Sequence, residues 1–249
     1  MRDAIGQADL VVFDFLHAMV LAPERIERPS VIFTHNVEAE IFRRHAEVAR
    51  NPLKRAVWQQ QFRKMQAYEE ASLKRADTVV AVSGRDAETF AAVPGMPPVE
   101  TIPTGVDLDF FQAQPPGEDD HIVFTGAMDW QANIDGIDFF MDAIWPHVVA
   151  QRPQAHVTIV GRNPNPALVE RAKRRQLPFR FTGFVDDIRP EVKGAAAYII
   201  PLRVGGGTRI KAFEAMAMGI PVVSTALGVE GLPEIGRASC RKECATGCR

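Results

Sequence analysis

The chain has 249 residues, 46% hydrophobic and 24% charged, which fits one large or two smaller globular domains and excludes a disordered, collagenous or disulfide-scaffold protein. Its 29 basic and 31 acidic residues leave a formal charge of −2, so there is no global basic field for nucleic acid. No apolar run approaches the ~20 residues of a membrane span, and Asp14 interrupts the first one, DLVVFDF, which makes the N-terminus a poor signal peptide.

In chain order, strand-length apolar runs fall at 9–15, 30–34, 77–83 and 99–103. A second series follows at 121–126, 155–161, 179–183, 196–201 and 220–225. Several are continuous and β-branched, as in strands buried on both faces of a parallel sheet. Helical stretches alternate with them, which predicts an α/β chain of two Rossmann-like, doubly wound domains. Between the series lies DFFQAQPPGEDD, rich in proline, glycine and acid, and it reads as a linker. The expected division is an N-terminal domain over 1–111, a linker over 112–120, a C-terminal domain over 121–235 and a non-native or disordered tail over 236–249. The first series is thin. Its helical content is concentrated in 36–76 and no Gly-rich strand-to-helix turn opens it, so the first domain reads as incomplete.

Within 36–76, Pro52 is expected to break the helix in two. The stretch carries Arg43, Arg44, Arg50, Lys54, Arg55, Arg63, Lys64, Lys74 and Arg75, with Trp58 and Phe62 between them. A peripheral membrane or polyanion-binding face is one reading. A solvated face is the other, because Glu38, Glu40, Glu47, Glu69 and Glu70 dilute the charge. All cysteines, Cys240, Cys244 and Cys248, stand in the tail, without the paired spacing of a zinc site. A cysteine-free body fits a reducing, cytoplasmic compartment. Asp186 and Asp187 read as helix-start residues, and no metal site is expected.

The segment PLRVGGGTRIKAFEAMAMGIPVVST, 201–225, is the most informative. A buried strand ends at Pro201, and Gly205, Gly206 and Gly207 then let the backbone approach a ligand closely. Thr208 is the expected N-cap of the helix that follows. Free N–H groups and the positive dipole end would face the loop, which makes an anion site. Arg209 and Lys211 add positive charge where it is unfavourable unless an anion offsets it. Glu214 shares a helix face with Lys211. A Lys–Glu surface pair is one reading, and a carboxylate accepting from a ribose diol is the other. Gly126 ends a strand on the ligand side of a doubly wound sheet. His35 and Asn36 lie between a strand and a helix, with Asn36 as expected cap and a plain helix-entry residue as one reading of His35; Asn133 reads as another N-cap, with phosphate contact as the alternative.

The run from strand through GGGT, R-x-K and Glu to the closing Gly resembles the nucleotide-sugar site of glycosyltransferase family 4. THNVE at 34–38, TIPTGVDLDFF at 101–111 and TGFVDDI at 182–188 resemble further family segments, over about residues 5–235. The resemblance implies a GT-B fold. It implies retaining transfer of a sugar from a nucleotide-diphosphate sugar to a hydroxyl of a glycan or lipid-linked acceptor, with no cofactor; the expected place is the cytoplasm, with peripheral contact at the inner membrane face as one reading. By the same resemblance His35 contacts the donor sugar, while Arg209 and Lys211 are expected to take over diphosphate binding from the family's usual pair. Gly126, Gly205, Gly206, Gly207, Thr208 and Glu214 hold the donor, Glu214 gripping the ribose. Four family features are absent: the first Glu of the E-x7-E pair, replaced by Gly206; the usual phosphate-binding Arg–Lys pair after Gly126; the opening Gly-rich loop; and the closing C-terminal helix. The chain therefore reads as a fragment, expected to be catalytically silent alone. A nucleotide-sugar-binding fragment and a GT-B epimerase are the alternative readings.

Overall fold

The computed structural model describes residues 2–115, 117 and 120–232. They form two compact units. The first contains the residues up to Thr104 together with Gly205–Thr208, and the second contains Gly105–Val204 together with the residues from Arg209 on.

The first unit runs α1 (Arg2–Gln7), β1 (Val11–Asp14), a 3-10 turn (Leu16–Val20), β2 (Ser30–Thr34), α2 (Glu38–Val48), α3 (Pro52–Leu73), β3 (Thr78–Ala81), α4 (Gly84–Ala91) and β4 (Val99–Thr101). Its strands are parallel in the order β1-β2-β3-β4. Phe13, Ile32, Val79 and Ala81 point into one core with Leu16, Met19, Leu73 and Phe90. Pro52 does separate two helices. Asn51 caps the second, accepting from the N–H groups of Leu53 and Lys54 at 2.8 and 3.2 Å. The α4 helix lies outside the stretch where helix was expected. Ser83 caps it by accepting from Asp86 N–H at 3.1 Å. The cationic stretch is not one solvated face. Arg75 is turned inward and donates to the carbonyls of Met19, Ala22 and Pro23, while Arg44 is buried and pairs with Glu40 at 2.9 Å.

The second unit runs β5 (His121–Thr125), α5 (Gln131–Phe139), α6 (Trp145–Gln151), β6 (His156–Val160), α7 (Pro166–Arg174), β7 (Phe179–Gly183), α8 (Arg189–Val192), β8 (Ala197–Ile200), α9 (Ile210–Ala217) and β9 (Val222–Ser224). All five strands are parallel in the order β7-β6-β5-β8-β9, so the direction of winding reverses between β5 and β8. Each face of this sheet has its own core. Val123, Tyr198 and Ile200 pack with Ala212, Ala215 and Met218 on one side. Phe124, Ile159 and Ile199 pack with Ile137, Met141 and Trp145 on the other. Between α5 and α6 a π-turn, Phe140–Ile144, widens the helix just ahead of Pro146, whose ring would otherwise meet the preceding turn.

Compactness divides the chain at 104/105, not at 111. The reason is visible in the packing: Phe111 lies against the β8–α9 core, Arg189 stacks 3.7 Å from the Phe110 ring, and Gln114 N–H donates to Met218 at 3.0 Å. The tail 236–249, with Cys240, Cys244 and Cys248, lies outside the described residues.

Candidate functional site

In a doubly wound sheet the crevice at the C-terminal strand ends, where winding reverses, is the ligand side. In the second unit that place is the end of β5 beside β8. Lys211, on the first turn of α9, reaches it. Its ammonium donates to the Thr125 carbonyl at 2.6 Å and to Asn133 Oδ1 at 3.4 Å, and lies 4.4 Å from the centre of the Phe124 ring. Gly126 makes room for this. A Cβ there would stand 2.8 Å from both Lys211 Nζ and Asn133 Nδ2, on a backbone with φ +155°. Asn133 is fixed in turn, donating to the Ala127 carbonyl at 2.8 Å.

Lys211 is thus a cation held by a carbonyl, an amide oxygen and a ring. Burial pushes its pKa down to about 7; the nearby Arg209 guanidinium pushes the same way and Glu214 opposes both. Burial raises the Glu214 carboxyl above the usual carboxylate range, against the pull of Lys211. The two residues are electrostatic neighbours on one helix, as the three-residue spacing predicts.

The start of α9 differs from expectation. The helix begins at Ile210 with Arg209 as its cap, and no side chain closes that end. Thr208 is not the cap, because Gly205–Thr208 packs with the first unit and Thr208 Oγ1 is drawn 3.5 Å from the Val82 carbonyl. Gly207 must be glycine: φ is +68°, and a Cβ would strike the His35 carbonyl and the Asn36 side chain. Gly205 has φ +136°, and a Cβ on Gly206 would come within 2.9 Å of Ile41. The first unit therefore brings the three glycines beside His35 and Asn36.

His35 follows β2. Its Nε2 lies 2.7 Å from Asp14 Oδ1, its ring stacks on Phe15 at 3.8 Å, and Phe33 meets it edge-on at 4.8 Å. Asn36 is not a helix cap either. Its amide donates to Glu38 at 3.0 Å, and α2 is capped instead by Glu69, which accepts from the N–H groups of Glu38 and Ala39 at 2.7 and 3.3 Å. Asn133 likewise stands inside α5, whose cap is Trp130.

Sequence reasoning missed one member of these clusters, Asp14, and the partner of another, Asn133. Asp14 was visible only as an acid interrupting an apolar run. Asn133 was legible as a polar residue near a helix start, yet its partner, Lys211, is distant in sequence. Asp187 accepts from Arg189 N–H at 2.9 Å, in keeping with a helix-start role. Among the described residues no group of three or more His, Cys, Asp or Glu is placed to hold a metal. No helix among them is long and apolar enough to cross a membrane.

Against known proteins, residues 2–110 match Glycosyltransferase Family 4, and residues 119–243 match Glycosyl transferases group 1. The second match extends into the stretch 236–249 that reads as foreign in the sequence. Phosphatidyl-myo-inositol mannosyltransferase of Mycolicibacterium smegmatis is 33% identical over 133 residues, which is 51% of this chain and 34% of that protein. The chain thus aligns with about a third of this curated relative. Among solved structures, sucrose-phosphate synthase from Thermosynechococcus elongatus superposes with a TM-score of 0.69 at 17% identity, covering 98% of this chain and 67% of that one. The Anabaena HepE protein in complex with UDP and glucose gives 0.64 at 18% identity, covering 91% and 62%. At such identities the likeness is one of fold, two Rossmann-like domains of the GT-B type.

Proposed function

The chain belongs to glycosyltransferase family 4, and we propose that it transfers a sugar, with retention at the anomeric carbon, from a nucleotide-diphosphate sugar to a hydroxyl of a glycan or glycolipid acceptor. One observation carries the donor side of this reading. An ammonium depressed to about 7 by burial stands at the winding reversal, beside a glycine that keeps the space open. A diphosphate laid there would restore the charge that burial disfavours.

The chemical difficulty is departure of the diphosphate from an oxocarbenium-like carbon. Fixed cations on the leaving group lower that barrier, by about 3–4 kcal/mol for a key donor. Lys211 and Arg209 take this role, so the proposed reaction calls on no metal or other cofactor. Glu214 accepts from the ribose hydroxyls, and Gly205, Gly206, Gly207 and Thr208 admit the donor to the backbone. His35 contacts the donor sugar. The acceptor oxygen forms its bond to the anomeric carbon on the face from which the diphosphate leaves. The carbon–oxygen bond to phosphate breaks, and the acceptor proton goes to the departing diphosphate. The neighbouring HepE structure, which holds UDP and glucose, supports a donor of this class. The cytoplasmic face of a membrane is the proposed place of reaction. Leu53 and Val57, 74% and 49% exposed on α3 beside Lys54 and Arg55, support peripheral contact there.

The test is calorimetric titration with UDP, GDP and ADP, followed by donor consumption assays with the corresponding sugars. One nucleoside diphosphate is expected to bind, with no consumption of its sugar by this chain alone. Failure of all three to bind, with the chain folded, would refute the reading.

A further inference from the structure

We propose that Asp14 is the positioning residue of His35: it holds the imidazole in the form whose Nε2 carries hydrogen and leaves Nδ1 bare, as an acceptor for a sugar hydroxyl. The part about the sugar rests on the transfer proposed above; the part about the ring does not.

A carboxylate only accepts, so at 2.7 Å from Asp14 Oδ1 the Nε2 atom of a neutral His35 must donate. The other ring nitrogen is then the acceptor. The ring plane is fixed as well. Phe15 stacks on it at 3.8 Å with an interplanar angle of 18°, and Phe33 closes its edge at 4.8 Å and 83°.

The backbone is arranged for this. Successive residues of a strand point to opposite faces, so Asp14 and Phe15 should not both reach one ring. They do because Phe15 leaves β1 with φ +66° and ψ 146°, a region that residues other than glycine rarely adopt. Its N–H donates to the Phe33 carbonyl at 3.0 Å, which holds the bend in place. The side chains of Asp14 and His35 are 68% and 31% exposed, and a polar pair in such a place adds little to stability. Strain kept at an exposed His–Asp pair, at the C-terminal ends of two parallel strands, is the mark of a site that must present one nitrogen in one direction.

The experiment is nitrogen-15 NMR of the full chain labelled at histidine, with His35 assigned by its disappearance in His35→Gln. In the parent, His35 is expected to show a downfield, exchange-protected Nε2–H proton and no detectable Nδ1–H form. In Asp14→Ala the downfield proton should vanish and the Nδ1–H form appear as in an unrestrained histidine. Phe15→Leu should keep the Nε2–H form. A parent with His35 in the Nδ1–H form would overturn the proposal without any variant, as would an Asp14→Ala spectrum identical to the parent's. Nucleoside diphosphate affinity of the parent is measured alongside. If the parent binds none while the NMR result holds, the transfer reading fails and the positioning role of Asp14 stands.

Discussion

At the scale of single residues, Lys211 is the group whose state decides the donor site. Its pKa in the folded protein, about 7, lies below the 10.5 of an ordinary lysine. The unfolded chain therefore binds more protons than the folded one between about pH 7 and 10.5, and this residue's contribution to stability rises with pH across that window. An anion at the site reverses the effect, because it favours the charged ammonium. Nucleoside diphosphate binding at pH 8 should take up close to one proton, seen as a dependence of the binding heat on the ionisation enthalpy of the buffer. At pH 5.5 uptake should be near zero. Lys211→Met should abolish the uptake and weaken binding by about 1.5–3 kcal/mol, the usual worth of a charge-assisted contact. Gly126→Ala should act through the same ammonium, since its Cβ would crowd Lys211 and Asn133. We expect weaker diphosphate binding together with a stability loss of about 1–3 kcal/mol from the backbone conformation, measured by denaturant titration.

At the scale of elements, the entry of α2 is held by a side chain from α3. Burial raises the Glu69 carboxyl to about 7 from an ordinary 4.5, against the lowering effect of its two N–H donors. The folded state thus keeps a proton that the unfolded chain releases between about pH 4.5 and 7. Stability from this group falls as pH rises through that window, by about 3 kcal/mol in all. Denaturant unfolding of the first unit at pH 5 and pH 8 should show this loss, and Glu69→Gln should remove most of it; an equal loss in both proteins would contradict the assignment. At the β1 edge of the described sheet, Leu10 and Val12 are 53% and 58% exposed. Val12→Lys should reduce self-association, measured by light scattering, without moving the unfolding midpoint. Elements were the most legible level. Among the described residues all nine strands lie within the strand-length apolar runs, and in β3, β6 and β8 the run is continuous because both faces are buried. Helix ends were less legible. Thr208, Asn36 and Asn133 are good caps by residue type, yet at each place a partner distant in sequence decided the matter: the first unit's packing of Gly205–Thr208, Glu69 on α3, and Lys211 on α9. The Asp14–His35 pair had no local signal, since strand register alone brings the ends of β1 and β2 together.

At the scale of the whole molecule, two family matches cover residues 2–110 and 119–243. The first unit carries His35 with Asp14. The second carries Lys211, Arg209 and Glu214 around a winding reversal that is the general ligand position of such sheets. The central claim is that a nucleoside diphosphate binds there and is held by a buried lysine. Isothermal titration of UDP, GDP and ADP into the chain and into Lys211→Met, at pH 8 in two buffers, tests it most directly. The account predicts that one nucleoside diphosphate binds the parent with proton uptake, and that Lys211→Met binds it at least tenfold more weakly with no uptake. Equal affinity in parent and variant, or binding without proton uptake, would contradict it.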